Sequence, residues 1–200
     1  MAVNGTSVTS NDYDKLNRLF KTVDLLSGNT QYSYDPNDRL KTVQAPNGAS
    51  TQYQYDDLGN LLKEVSPDRG TVNYAYDAAG NLTQQTDARG IVSSYTYDAL
   101  NRLTRIDYPG SAEDVTYTYD AGADCTFGLG RPCAVADESG TTAFAYDGFG
   151  NLTLHQRTEL NVVYNTRYSY DAGNRVTGIT YPNGRRVSFS RNAKGDVQAA

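Results

Sequence analysis

An aspartate returns every 21 residues through the first half of this chain, at Asp14, Asp35, Asp56, Asp77 and Asp98. Four of the five follow a Tyr-x-Tyr triplet, as in Tyr53-Gln54-Tyr55-Asp56, while the first keeps only Tyr13-Asp14. The phase continues at Asp120, Asp147 and Asp171, with steps of 22, 27 and 24 residues, and reaches Asn192 after a further 21. A fixed period over most of a chain means one small supersecondary unit used repeatedly, each copy completing its neighbour's core. We therefore read residues 1–200 as a single repeat array of about eight units, with one irregular unit carrying an insertion near 120–133. Such an array makes an enzyme of ordinary design improbable.

The residue types agree on the kind of unit. There are 17 Tyr and 18 Gly but no Trp and one Met. Tyr, Thr and Val favour strands, whereas Gly, Asn, Asp and Pro favour turns. In Thr51 to Tyr55 the side chains alternate, placing Tyr53 and Tyr55 on one face and Gln52 and Gln54 on the other, the period-2 signal of a strand. Asp56 then opens a turn, since an aspartate can accept the backbone amide two residues on.

Three residues after each aspartate stands Asn17, Asp38, Gly59, Gly80, Asn101, Gly150 or Asn174. These residue types adopt positive φ most readily, so a left-handed position is expected there. Two places on, Leu19, Leu40, Leu61, Leu82, Leu103, Leu152 or Val176 starts a return strand. That strand ends at a second turn such as Pro46-Asn47-Gly48, Pro109-Gly110 or Pro182-Asn183-Gly184. Its apolar residues often stand three apart (Leu40 and Val43, Leu103 and Ile106), which breaks alternation and predicts a bulge or strong twist. About 16 strands laid flat at ~4.8 Å each would span roughly 75 Å, and open sheets of that width usually curl or split. The expected fold class is all-β: antiparallel β-hairpin repeats of about 21 residues forming a strongly curved, spiralling sheet.

The motif Tyr-x-Tyr-Asp-x-x-Gly-Asn-Leu, with its variant Tyr-Asp-x-Leu-Asn-Arg-Leu, resembles the YD-repeat, also called the RHS repeat. It is carried by Tyr53, Tyr55, Asp56, Gly59, Asn60 and Leu61; by Tyr74, Tyr76, Asp77, Gly80, Asn81 and Leu82; and by Tyr95, Tyr97, Asp98, Asn101, Arg102 and Leu103. Phe144, Tyr146, Asp147, Gly150, Asn151 and Leu152 repeat it, as do Tyr168, Tyr170, Asp171, Asn174 and Val176. The family includes bacterial Rhs polymorphic toxins, the B and C components of Tc toxin complexes, wall-associated bacterial proteins and animal teneurins. The resemblance implies a sheet spiralling into a hollow shell, which encloses an effector in the toxins and scaffolds adhesion in teneurins. The family's Asp-Pro-x-Gly-Leu-type segment, where autoproteolysis releases the effector, has no counterpart here. We therefore carry over neither cleavage nor toxicity, and expect a fragment of a larger protein or an unusually short member.

Charge and hydropathy narrow the partners. A net charge of −5 gives phosphate backbones nothing basic to meet, so nucleic-acid binding is disfavoured. No apolar run approaches the ~18 residues of a membrane-spanning helix. The N-terminal residues Met1 to Ser7 show no basic cap or apolar stretch, hence no visible secretion signal. We expect a bacterial protein, secreted or at the cell surface, exported as part of something larger.

Each side-chain group has a bland and a sharp reading. The aspartates could bind calcium, but convergent oxygens are needed and these lie in separate turns, so capping is preferred. The tyrosine stripes could stack on sugars; cross-strand packing is the simpler reading. Arg18, Arg39, Arg102, Arg131 and Arg175 share the slot four after the aspartate, or its aligned equivalent, and should pair with a neighbouring unit's aspartate or turn carbonyl. Cys125 and Cys133 flank Thr126 to Pro132 in the irregular unit, whose turn carries a seven-residue insertion once Gly130-Arg131 is aligned with the regular slot, and they form either a disulfide, in an oxidising compartment, or two free thiols; we favour the disulfide. Zinc lacks two further ligands.

His155, the single histidine, sits in a long connection whose turn we place at Glu159 to Asn161, and no nucleophile motif surrounds it. Scattered carboxylates could mimic a glycosidase pair, yet each has a turn or surface explanation. We expect no catalytic, metal or cofactor site. The expected role is a structural module enclosing or scaffolding a polypeptide cargo, together with the remaining repeats of a parent shell. The alternative is an extracellular adhesion or carbohydrate-binding module using the tyrosine face. Raw strand edges would favour edge-to-edge self-association.

Overall fold

Alternating Tyr/Thr and Gln/Ser runs, punctuated by aspartate and glycine turns, leave little choice but a hairpin meander. The computed structural model describes residues 10–110, 112–192 and 194–199; the N-terminal heptapeptide lies outside them. The described residues are all-β, with 19 strands and no helix. They fall into two compact units, Met1–Ser93 and Ser94–Ala200.

The first unit holds β1 (Ser10–Tyr13), β2 (Leu19–Val23), β3 (Asn29–Tyr34), β4 (Leu40–Gln44), β5 (Ser50–Tyr55), β6 (Leu61–Ser66), β7 (Gly70–Tyr76) and β8 (Leu82–Thr86). Each pairs antiparallel with the next in sequence. The ladder runs from β1 to β8 without closing on itself.

The second unit is built the same way from β9 (Val92–Tyr97, starting just ahead of the unit's boundary), β10 (Leu103–Asp107), β11 (Val115–Tyr119), β12 (Pro132–Asp137), β13 (Gly140–Tyr146), β14 (Leu152–Glu159), β15 (Val162–Tyr170), β16 (Val176–Thr180) and β17 (Arg186–Ser188). Consecutive strands again pair antiparallel. A separate small ladder joins β18 (Ser190–Arg191) to β19 (Val197–Ala199). The hairpin between β14 and β15 turns through Leu160 and Asn161, both at positive φ (49° and 62°), where the sequence placed it.

The three-residue spacing of the return strands has a physical origin. Tyr55 lies opposite Leu61 and Gln54 opposite Lys63, so Leu62 has no partner: a bulge. After that skip, Glu64 falls opposite Tyr53, and Leu61 and Glu64 share the tyrosine face although three apart. The same shift recurs immediately before Tyr13, Tyr34, Tyr76, Tyr119, Tyr146 and Tyr170. Leu40 and Val43 thereby face Tyr34 and Tyr32, and Leu103 and Ile106 face Tyr97 and Tyr95.

Little of this is deep core. Among the described residues the apolar side chains counted as buried are Val72, Cys133, Ala145 and Leu154. The paired tyrosines are half-buried rather than sealed. A sheet one layer thick cannot bury both faces, so its order must come largely from lateral bonds between hairpins.

Candidate functional site

Among the described residues the repeated Asp corner is the most distinctive chemical arrangement. At Asp56 the backbone amide donates to the Asn60 carbonyl and the Gly59 amide donates back to the Asp56 carbonyl. Carboxylate Oδ1 accepts the amides of Leu58 (3.0 Å) and Asn60 (2.8 Å), and Oδ2 accepts Nδ2 of the Asn60 side chain (2.8 Å). One aspartate thus satisfies three donors while the chain reverses. Asp77 and Asp147 do the same with Asn81 and Asn151. At Asp14, Asp35, Asp98 and Asp171 the Nε of an arginine four residues on replaces the asparagine.

The third residue past each aspartate is left-handed, with φ of 61° at Asn17, 64° at Asp38, 93° at Gly59, 83° at Gly80, 59° at Asn101, 88° at Gly150 and 59° at Asn174. Asn192 builds an identical corner with its chemistry exchanged. Its Oδ1 accepts the Lys194 and Asp196 amides, each at 2.9 Å, and its Nδ2 donates to the Asp196 carboxylate at 3.0 Å.

These bonds hold the carboxylates in their ionised form. The Arg18, Arg102 and Arg175 backbone amides keep Asp14, Asp98 and Asp171 below the ordinary carboxylate range. For Asp56, Asp77 and Asp147 the leading cause is the asparagine side chain. Asp120 is brought down to about 2 by the Arg102 guanidinium.

Corners connect to the next hairpin through arginine and tyrosine. Arg102 binds its own Asp98 through Nε (2.7 Å) and reaches Asp120 with both terminal nitrogens (3.1 and 2.6 Å). Its guanidinium also lies 4.4 Å from the ring centre of Tyr119. Arg18 bridges to Asp38 and stacks on Tyr34, and Arg39 bridges to the Asp56 carbonyl and stacks on Tyr55. Asparagine is too short for that stack, but Asn151 still reaches Asn174 (2.8 Å).

The tyrosine beside the aspartate uses its hydroxyl to donate to the carbonyl that opens the bulge one hairpin back. The pairs are Tyr34 to Leu19 (2.7 Å), Tyr119 to Leu103 (3.0 Å), Tyr146 to Pro132 (2.7 Å) and Tyr170 to Leu152 (2.8 Å). Periodicity alone could not reveal this role, because the acceptor is a backbone oxygen freed by a neighbouring bulge.

In the irregular unit, Arg131 takes the arginine slot despite the insertion: its carbonyl accepts the Asp120 amide and its guanidinium lies 5.5 Å from the centre of the Tyr146 ring. The Gly130 amide donates to the Asp120 carboxylate (2.7 Å). Cys125 and Cys133 are joined in a disulfide, with Cα atoms 5.3 Å apart, and Cys133 sits at the bulge position with 2% exposure. His155, on β14, lies tilted against Phe144 (ring centres 5.5 Å apart). A cleft of about 380 Å³ lies near Asp137, Gly140, Thr158 and Asn161, but the Asp137 carboxylate is already engaged by Arg157 and Ser139.

The RHS Repeat family model matches residues 34–71, 76–113 and 161–186, together half of the chain. Among solved structures, the fold is similar to that of TcdB2-TccC3 (TM-score 0.77, 17% identity, covering 94% of this chain and 12% of that one). It is similar also to TcdB2-TccC3-Cdc42 (TM-score 0.76, 17% identity, 94% and 11%) and to TcdB2-TccC3 without its hypervariable C-terminal region (TM-score 0.76, 18% identity, 94% and 11%). The chain therefore spans about a ninth of the solved chains that it resembles. A comparison with curated proteins gave no match.

Proposed function

The chain belongs to the RHS-repeat family, and from that premise we propose that this structural repeat module is a non-catalytic segment of shell wall that encloses a polypeptide cargo. The observation that carries this reading is the hairpin-to-hairpin stitching: Arg102 on Asp120 and Tyr119, and Tyr170 on the Leu152 carbonyl. Bonds of this kind stiffen a thin sheet sideways, which containment demands and which a small-molecule site does not. The fold shared with TcdB2-TccC3 supports it. A wall continued by further repeats would hide its strand edges and keep cargo from solvent. The disulfide agrees with export to an oxidising compartment.

The test uses the full reading frame that carries these repeats. A linked polypeptide should resist added protease while the array is folded and become sensitive once denaturant melts the sheet. Digestion at equal rates in both conditions would refute containment. The carbohydrate reading has weaker support, since the hydroxyls of Tyr34, Tyr119, Tyr146 and Tyr170 are already committed to backbone carbonyls.

A further inference from the structure

Strands of the second unit end level with a neighbour at this rim where Asp137 faces Gly140 and where Thr180 faces Arg186. The β14–β15 hairpin runs past it. β16 stops at Thr180 opposite Arg167, whereas β15 continues out to Val162. Residues 162–166 are therefore paired to β14 on one side and, among the described residues, to no strand on the other. Five residues of extended chain leave roughly 17 Å of open edge.

The turn fixes what that edge presents. Leu160 and Asn161 form a two-residue loop at positive φ, so Glu159 and Val162 are the pair that bonds across the hairpin. The backbone amides and carbonyls of Val163 and Asn165 therefore point the other way, into the gap. Nothing blunts the edge: residues 162–166 read Val-Val-Tyr-Asn-Thr, with no Pro, no charge and no register shift. Val162, Val163 and Tyr164 are 49%, 51% and 44% exposed. Positive charge stands at the inner end of the gap. Arg167 faces Thr180 and Thr180 faces Arg186, so both arginines share one face of the sheet. Arg185 closes the adjoining turn, its carbonyl accepting the Tyr181 amide (2.8 Å). All three arginines are exposed and, among the described residues, none has a carboxylate partner. The carboxylates of this region stand elsewhere: Glu159 at the hairpin tip, Glu138 in the turn beyond β14, Asp137 on Arg157, and Asp171 past the far end of β15 on Arg175.

We propose that this gap is a strand-addition site whose occupant is an extended polypeptide segment with acidic residues at the end nearest β16. Unpaired amides and carbonyls in a row are recognised by another backbone, which bonds Val163 and Asn165 and continues the line of β16. The arginines then select among such segments by charge. A second copy of this chain offers the same backbone but brings one carboxylate, its Glu159, against three arginines. A segment carrying several carboxylates answers them better. The site operates whether or not the wall encloses cargo.

Fluorescence anisotropy of a fluorescein-labelled, end-blocked peptide, Glu-Glu-Val-Thr-Val-Thr, titrated with the full chain tests the proposal. Its acids come first because a strand antiparallel to β15 begins at the inner end of the gap. Binding should saturate below ~1 mM, and Lys-Lys-Val-Thr-Val-Thr should bind about tenfold more weakly or worse. Arg167→Glu combined with Arg186→Glu should invert that preference. Val163→Pro removes an amide that faces the gap and none of the β14–β15 ladder, so circular dichroism should match wild type while affinity falls about tenfold. Peptides N-methylated on one or the other alternating set of residues probe the same bonds without altering the protein: one set should lose binding and the other keep it. No binding of the acidic peptide at ~1 mM overturns the proposal. So does binding that ignores Val163→Pro or fails to distinguish the two methylated sets, since charge attraction alone would then explain it. Protection of the Val163 and Asn165 amides in a concentration-dependent dimer without peptide also overturns it, because a second copy would then be the occupant.

Discussion

Reducing the Cys125–Cys133 bridge should loosen one hairpin by a calculable amount. The two cysteines are eight residues apart in sequence, so the bond closes a loop of about nine. Chain entropy for that loop is roughly 2.1 + 1.5R ln 9, or ~8.6 cal/mol/K, which is ~2.6 kcal/mol at 25 °C. Reduction leaves both sulfurs in place, so the packing of Cys133 is only lightly disturbed. In a repeat array the loss should stay local, because each unit is stabilised mainly by its neighbours.

Amide hydrogen exchange resolves that locality. Protection in β11, β12 and β13 should fall by up to ~80-fold on adding a thiol reductant, the factor corresponding to ~2.6 kcal/mol. Protection in β3 to β6 should be unaffected. Exchange in β11 to β13 that changes less than threefold would refute the reasoning, and would mean that Gly130 and Arg131 hold the insertion closed unaided.

Tyr170→Phe removes the hydroxyl that donates to the Leu152 carbonyl and should cost about 1 kcal/mol in urea unfolding, against a few tenths for Tyr164→Phe at an exposed site. Gly80→Val forces a branched residue to φ of 83° and should cost about 1–3 kcal/mol, whereas Asn17→Gly, at φ of 61°, should be nearly neutral in the same assay. Asn192→Asp sets two carboxylates against each other and should abolish exchange protection in β18 and β19; adding Asp196→Asn should restore it by recreating the common corner. Acid should unfold the array. Aspartates lowered from 3.8, Asp120 to about 2, contribute stability that is fully present above pH ~4 and lost as pH falls toward 2. A far-UV signal constant from pH 6 to pH 2 would contradict this.

Much of the fold could be read from the chain because its information is local. An Asp followed by Gly or Asn three residues later defines a turn through bonds spanning five residues, as at Asp56 to Asn60. Period-2 alternation then fixes which side chains share a face. The irregular three-residue spacing pointed to bulges for the same reason. The half-buried state of the tyrosines was less legible, since a run such as Tyr53-Gln54-Tyr55 reads alike whether or not a second layer covers it.

The corner, the hairpin period and the all-β class were thus settled by sequence, because each depends on donors and acceptors a few residues apart. Tertiary structure alone decided where Tyr170 sends its hydroxyl and which aspartate Arg102 grips. It also decided that the Phe127 ring lies beside the Gly148 corner. Those outcomes depend on groups 15 or more residues distant, or on a backbone oxygen exposed by a neighbour's bulge, and only assembled strands bring such partners within bonding range.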